Sequence, residues 1–369
     1  MTAARIGFAL AAMLALAALA LPIGNGAGLG TQVSLLGLTL VAVALFIAAI
    51  AFPAGSIACG LAGAALCAIV TLILLRDPSI AGAARAGFWA LTLAAWLAAA
   101  LGVTALARLE PRLDTLRRAN DVAIPLVFGA CLIYLWEVAV RGFGVPSVLM
   151  PAPSATAARF AVSLPVLGED FVQTFVRGVL SGYAIGCGAG LLVAVIAHRF
   201  DFLARGLLPL GNFASALPIV GIAPIMVMWF GFDWPSKTAV VAVVTFFPML
   251  VNSLAGLAAA GSMERDLMRS YGARPAQTLR KLHLPAALPF IFNALKINST
   301  LALIGAIVAE FFGTPTLGIG FRISTGVGRM ALDMVWAEIA LSAIAGMAFY
   351  GLVALAERAT TFWHPSYRG

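Results

Sequence analysis

Residues 266–285 read DLMRSYGARPAQTLRKLHLP, and this stretch decides how the chain folds and what it does. It is a polar segment between two apolar runs, each long enough to cross a bilayer. Four of its residues are basic: Arg269, Arg274, Arg280 and Lys281. Because loops rich in arginine and lysine face the cytoplasm, we expect this loop on that side of a membrane.

Backbone chemistry predicts two short helices within the segment. Ser262 suits the N-cap of the first helix, since its hydroxyl can accept a hydrogen bond from a free amide. Gly272 suits the left-handed residue that ends it, and Pro275 suits the first position of the second. Pro285 then begins the next apolar run. The sequence therefore predicts a helix, a glycine corner and a second helix.

An apolar stripe marks the first predicted helix, where Leu267, Met268 and Tyr271 share one face. A short amphipathic helix of this kind can lie in the groove of a partner protein. The alternative is a basic loop that only sets the orientation of the flanking spans.

Composition places the chain in the membrane. Of its 369 residues, 62% are hydrophobic and only 10% are charged, which excludes an ordinary soluble domain. The net charge of +8 lies in loops between apolar runs, so it indicates topology and not nucleic-acid binding. The four cysteines form no CxxC pair, and no HExxH, GxSxG or P-loop motif is present. We therefore expect no cofactor on this chain.

Ten spans can be counted along the chain, which predicts an all-α polytopic membrane protein. Four lie in an N-terminal part, residues 1–120, which ends in a polar connector at 108–118. Six lie in a second domain, residues 121–369, with the polar loop at 262–285. Arginine content puts both chain termini on the cytoplasmic side.

The polar loop resembles the signature of the membrane-spanning subunits of ATP-binding-cassette (ABC) importers: E-A-A, three residues, G, nine residues, then I-x-L-P. The spacing is matched throughout, although Asp replaces Glu and two larger residues replace the alanines. The matching positions, with Ala273 beside the glycine, are Asp266, Leu267, Met268, Gly272, Leu282, Leu284 and Pro285. The resemblance implies that these residues couple the chain to an ATPase.

The likeness covers about 151–367 and is greatest to the nitrate, sulfonate and taurine branch, through stretches such as LMPAPSAT at 149–156 and AEFFGTPTLGIGF at 309–321. A looser likeness is to permeases for vitamin-like heterocycles, such as thiamine-precursor pyrimidines or riboflavin. The first four spans lie outside the likeness, and their role is left open.

Glycines recur every four residues in the second span of the resembling region: Gly178, Gly182, Gly186 and Gly190. Small residues at this interval let helix backbones approach closely in lipid. These glycines allow either a close, mobile contact between two helices near the transport pathway or simple tight packing.

Two further spans hold candidate pathway residues. In the third span of the region, Pro218 and Pro224 free backbone carbonyls near Ser215, and such breaks are tolerated where protein or water satisfies them. In the fifth, three polar residues share a face: Asn293, Lys296 and Thr300. Lys296 either attracts an anionic solute or extends its long stem to the membrane edge. Glu310, near the other end of this span, is expected in ion pairs or gate contacts.

The resemblance implies a permease subunit in the bacterial inner membrane that translocates a small solute by alternating access. Its implied partners are separate ATPase subunits that bind ATP and magnesium, an extracytoplasmic solute-binding protein and a second copy of the chain. A membrane assembly factor whose loop docks a soluble protein is the alternative. A membrane-embedded enzyme ranks third, because no plausible catalytic cluster is visible.

Overall fold

The computed structural model describes residues 2–24, 33–52, 55–108, 114–215, 218–313 and 316–363. Within these ranges every regular element is a helix and there is no strand, so the predicted all-α class is confirmed. Part of the polar connector, residues 109–113, lies outside the described residues.

Eight helical segments of the described chain are long and apolar enough to span a membrane. A ninth span results if the two helices on either side of residues 216–217, which meet at 98°, count as one. The first helix contributes a shorter apolar segment, Ala4–Ala20. The membrane class is therefore confirmed, whereas the predicted count of ten spans stays a prediction.

By packing, the chain divides into two compact units, Met1–Ala157 and Ala158–Gly369. This division is based on contacts between residues. The boundary predicted at 120/121 is based on composition, and it stays a prediction. The helices of the first unit are α1 (Thr2–Ala20), α2 (Val33–Ala51), α3 (Ser56–Leu74), α4 (Ala86–Ala107) and α5 (Asp114–Gly142). A sixth helix, α6 (Pro153–Val162), runs across the division.

The first unit has a core of alanines with a few large side chains. In it α1 packs on α2 and α4, and α3 packs between α2 and α4. Phe46 and Phe88 are fully buried among these helices, and Phe8 nearly so. Because alanine side chains are small, the helices approach closely and the aromatic rings fill the remaining space.

The second unit is built around one long central helix. Its helices are α7 (Leu164–Phe171), α8 (Ser181–His198), α9 (Asp201–Ser215), α10 (Ile219–Phe230), α11 (Trp234–Ala258), α12 (Ser262–Ser270), α13 (Pro275–Thr278), α14 (Leu284–Phe312), α15 (Ile319–Gly328) and α16 (Leu332–Thr360). Wider π-helical turns join α7 to α8 at Val172–Leu180 and α13 to α14 at Leu279–His283. Helix α11 packs along its length against α8 and α14, and α16 packs on α14.

The contact between α8 and α11 depends on three of the four predicted glycines. A Cβ at Gly182, Gly186 or Gly190 would collide with the backbone of α11, since carbonyl oxygens of α11 lie against all three positions. Gly178, in the π-helical turns, is different, because a Cβ there would meet Lys237 Cβ at an ordinary 3.5 Å. Close backbone packing thus requires three of the four glycines.

Proline chemistry divides the apolar run at 203–230 into α9 and α10. Pro218 stands just before α10 with an extended backbone, φ −69° and ψ 122°. Pro209 and Pro224 lie inside α9 and α10. The pair forms either one broken span or a re-entrant loop.

Candidate functional site

The polar loop between α11 and α14 has the predicted helix, corner and helix. Gly272 adopts φ +63°, the left-handed conformation that glycine takes without penalty. Its amide donates to the carbonyl of Arg269, and the amide of Ala273 donates to that of Met268. These two bonds form a Schellman motif, which satisfies the last carbonyls of α12.

The ends of the two short helices are capped differently from one another. Gly261, in an extended conformation, is the N-cap of α12, and Ser262 is its first helical residue, so the predicted Ser262 cap is wrong by one position. Pro275 is the first residue of α13, as predicted. Just before it, the amide of Arg274 donates to Gln277 Oε1 at 2.8 Å.

One face of α12 presents an apolar ridge to solvent. Met263, Leu267 and Tyr271 are 81%, 55% and 81% exposed, and they lie four residues apart, on adjacent turns. Met268, predicted on the same face, is half-buried instead. Asp266 lies beside the ridge and pairs with Arg269 at 3.5 Å, with both side chains exposed.

The opposite side of the loop borders a basic groove of about 960 Å³. No carboxylate is among its described lining residues, whose charged and imidazole members are His198, Arg199, Arg265, Arg269 and His283. The rings of His198 and His283 lie 4.5 Å apart between centroids. His283 Nδ1 is hydrogen-bonded to the carbonyl of Leu257 at 2.8 Å, which ties the end of the loop to α11.

The return from the loop is held in the hydrophobic core. Leu279 and Leu284 pack against a buried cluster that includes Met249, Leu250 and Leu257 of α11. Leu282 and Pro285 are half-buried beside them. The second arm of the loop is therefore attached to the hydrophobic core.

A second polar cluster lies near the other end of α14, where the chain turns into α15. Asp170 is fully buried and receives two hydrogen bonds from Arg322, Nε at 2.6 Å and Nη2 at 3.2 Å. The amide of Gly318 donates to the same carboxylate at 2.6 Å. The hydrogen bond from the Arg322 guanidinium to the Asp170 carboxylate raises the pKa of Arg322, so the guanidinium stays charged.

Glu310 completes the attachment of this turn. Its carboxylate accepts hydrogen bonds from Thr174 Oγ1 at 2.8 Å and from the amide of Gly320 at 2.7 Å. Thr174 Oγ1 in turn accepts from the amide of Ile319 at 2.9 Å. The first free amides of α15 thus face carboxylates and a hydroxyl, an arrangement that the helix dipole favours.

Two more buried ionisable side chains lie near this cluster. Glu338 is fully buried, both of its carboxylate oxygens lack a hydrogen bond in the described structure, and Arg322 Nε lies 3.9 Å from Oε1. Lys237 is also fully buried and donates to the carbonyl of Phe232 at 3.3 Å. A charged residue inside an apolar run was the signal that could have identified both residues from sequence.

The predicted pathway residues do not gather at one point. Lys296 Nζ forms an ion pair with Glu357 Oε2 at 2.7 Å, so its charge is neutralised by α16. Asn293 and Thr300 are exposed on α14. Pro218 is exposed and Pro224 half-buried, and the side chain of Ser215 lies outside the described residues. A pathway role for these residues stays a prediction.

A buried amide that sequence reasoning did not select lies on α14. Asn298 donates from Nδ2 to the carbonyl of Thr245 at 2.8 Å and to Cys187 Sγ at 3.2 Å. It therefore joins α14 to both α11 and α8.

Comparison with known proteins agrees with this architecture. The family model "Binding-protein-dependent transport system inner membrane component" matches residues 186–366. The riboflavin transport system permease protein RibX of Chloroflexus aurantiacus is 29% identical over 265 residues, which cover 70% of this chain and 97% of the relative.

Two further relatives have related names. The putative aliphatic sulfonates transport permease protein SsuC of Bacillus subtilis is 29% identical over 247 residues, 66% of this chain and 88% of the relative. The formylaminopyrimidine transport permease protein ThiX of Halalkalibacterium halodurans is 28% identical over 252 residues, 67% of this chain and 98% of the relative. Residues 186–366 thus match the binding-protein-dependent transport family, and the chain is a multi-pass inner-membrane protein similar to permeases of the sulfonate and taurine type of ABC importer.

Proposed function

We propose that this permease moves a small solute by alternating access, driven by separate ATPase subunits that dock on loop 262–285. The ATP and magnesium would be bound by those subunits and not by this chain. RibX, SsuC and ThiX carry names that specify riboflavin, aliphatic sulfonates and formylaminopyrimidine. The solute proposed here is of the same range, either a sulfonate such as taurine or a vitamin-precursor heterocycle.

The observation that carries the proposal is the surface of α12. Large apolar side chains on a solvated, basic loop are unfavourable unless a partner covers them. Met263, Leu267 and Tyr271 form such a surface on a rigid helix, in the arrangement that fits a groove in a partner protein. The basic groove behind it adds positive charge that would speed association with an acidic partner surface.

Movement of the ATPases would be passed through the loop to the core. The Schellman motif at Gly272 sets the angle between α12 and α13, and Leu279 and Leu284 anchor the second arm on α11. Closing of the ATPases would then rotate α11 and α14 together and change which side of the membrane the pathway faces. The loop could transmit such a movement because packed helices change between discrete arrangements and do not deform continuously.

A solute-binding protein would dock at the end of the second unit that lies away from loop 262–285. There the carboxylates of Asp170 and Glu310 hold the start of α15 in one conformation. A rigid turn is suited to receive a partner protein, because little entropy is lost when it binds.

A second copy of the chain would complete the pathway. Asn293 and Thr300 are polar and exposed on a helix that must cross the membrane, and polar side chains in a span usually face protein or water. A homodimer with these faces toward each other would shield them from lipid. The Lys296 and Glu357 pair on the neighbouring side of α14 would then support the wall of the pathway.

The test is to change Gly272 without changing the space around it. A Cβ at this position would meet nothing within 4 Å, so only the backbone conformation distinguishes one residue from another. Gly272→Asn is expected to retain activity, because asparagine enters the left-handed region readily. Gly272→Val is expected to lose it, since a β-branched residue there costs about 1–2 kcal/mol or more and shifts the corner.

The measurement is solute-stimulated ATP hydrolysis and solute uptake in proteoliposomes that hold the permease, its ATPase and its binding protein. Leu267→Asp is expected to release the ATPase on size-exclusion chromatography, whereas Leu267→Met should retain it. If no ATPase purifies with the wild-type chain, even after cross-linking through loop 262–285, the proposed coupling is wrong. The loop would then have to be a docking site of a non-transporting assembly factor.

A further inference from the structure

The first unit contains a cavity of about 320 Å³ at one end of its helices, outside the residues matched by the family model. It lies where α1 and α3 begin and where α2 and α4 end. Its described lining combines two arginines, Arg5 and Arg108, with small and apolar side chains such as Phe8 and Ala105. We propose that this cavity binds the phosphate of an anionic phospholipid, with an acyl chain against its apolar part.

Two arginines from different helices supply the charge of the site. Arg5 lies in the first turns of α1, and Arg108 directly follows α4. Both are exposed, no described carboxylate lines the cavity, and neither arginine forms an ion pair with a described acidic residue. A guanidinium matches phosphate geometry with two parallel hydrogen bonds, so two of them form a strong phosphate clamp.

The lining also includes the hydroxyl-bearing residues Ser56 and Thr104. The remaining lining is apolar and includes Phe8, Leu101 and several alanines. A free inorganic phosphate is strongly hydrated and gains no free energy from contact with apolar side chains. A phospholipid fits both parts, because one molecule carries both a phosphate and acyl chains.

The depth of the cavity agrees with this ligand. Helix α4 has 22 residues, so its length of roughly 33 Å is close to the thickness of the hydrocarbon core. Arg108 at its end therefore lies near the headgroup layer. If the positive-inside rule holds for Arg5, the cavity opens to the cytoplasmic leaflet, where basic pockets between helices bind acidic headgroups.

The experiment uses the full-length permease in detergent, titrated with phosphatidylglycerol, phosphatidylcholine or inorganic phosphate and measured by native mass spectrometry. The wild-type chain should bind phosphatidylglycerol at least tenfold more tightly than phosphatidylcholine. Arg5→Gln and Arg108→Gln should each weaken that binding by about tenfold, the usual effect of losing one charge-assisted hydrogen bond. Arg76→Gln, which removes an arginine from the opposite end of the unit, should have no effect.

A second variant tests the apolar part without changing charge. Ala105→Trp should fill the cavity and abolish phosphatidylglycerol binding. Unchanged binding in Arg5→Gln and Arg108→Gln, or equal binding of phosphatidylcholine, would overturn the proposal. Displacement of the lipid by millimolar inorganic phosphate would also overturn it, because the site would then belong to a free anion. None of these outcomes depends on transport, so the two proposals fail separately.

Discussion

The close contact between α8 and α11 can be tested with a single methyl group. At Gly182, an added Cβ would lie 2.5 Å from Val241 Cβ and 2.7 Å from the carbonyl oxygen of Thr238. Ordinary contacts begin at 3.4 Å, and the oxygen belongs to a helix backbone that no rotamer change can move. Helix α8 would have to retreat by about 0.7–0.9 Å, which weakens the dispersion contacts around it by roughly a quarter to a half.

The magnitude follows from the difference between two variants of the same helix. Gly188 is exposed on α8, and a Cβ there would meet nothing within 4 Å. Gly188→Ala should stabilise the helix by about 0.5–1 kcal/mol, because alanine loses less backbone entropy. Gly182→Ala has the same gain but also the cost of overpacking, about 1–3 kcal/mol, so the two variants should differ by about that cost.

The assay is reversible unfolding of the purified chain in mixed micelles, followed by circular dichroism as the fraction of denaturing detergent rises. Gly182→Ala should unfold at a lower fraction than wild type, and Gly188→Ala at an equal or higher one. If both variants unfold together, α8 and α11 do not pack through these glycines, and the reasoning is refuted. Gly178→Ala, where the new contact is an ordinary 3.5 Å, should behave like the control at Gly188.

Two further predictions concern buried polar groups. Glu357→Leu should destabilise the chain by about 3–5 kcal/mol, since it leaves Lys296 partly buried without its 2.7 Å partner. Adding Lys296→Met should restore most of that loss in the same unfolding assay, and failure to do so would show that Lys296 depends on other contacts. Thr174→Val should cost about 1–3 kcal/mol, because Glu310 and the amide of Ile319 lose their shared hydroxyl. Thr174→Ser should cost much less, and equal losses in the two variants would exclude the hydrogen bonds as the cause.

Local chemistry explains why the loop at 262–285 could be predicted from its own residues. A left-handed cap at Gly272 and a restart at Pro275 depend on backbone preferences that operate within a few residues. Local backbone preference also explains why Ser262 was predicted as the N-cap of α12, one position too late. Gly261 adopts the extended cap conformation without a side-chain bond, so the serine that follows is not needed as a cap.

The exposed face of α12 was predicted in part. Helical spacing placed Leu267 and Tyr271 together, but it also placed Met268 with them, and Met268 is half-buried. Met263 is as exposed as Tyr271, but it was not predicted to belong to this face. Periodicity identifies an apolar stripe, whereas only the tertiary structure shows that the Met268 edge of the stripe is partly covered.

Long-range partners could not be predicted in the same way. His198 and His283 are in ring contact, and Asp170 and Arg322, which are 152 positions apart, form the strongest charged pair of the polar cluster. Lys296 was assigned to a face with Asn293 and Thr300, yet its partner is Glu357 on α16. A sequence shows where a charge is buried but not which distant charge neutralises it.

The sequence by itself determined the all-α membrane class and the bend of the loop at Gly272, because hydrophobic length and backbone preference are properties of nearby residues. Only the tertiary structure decided which glycines touch α11, which carboxylates bind the start of α15 and which residue neutralises Lys296. The physical reason is that a buried polar group must find its partner at hydrogen-bond distance, and the relative rotation of packed helices decides which groups come that close.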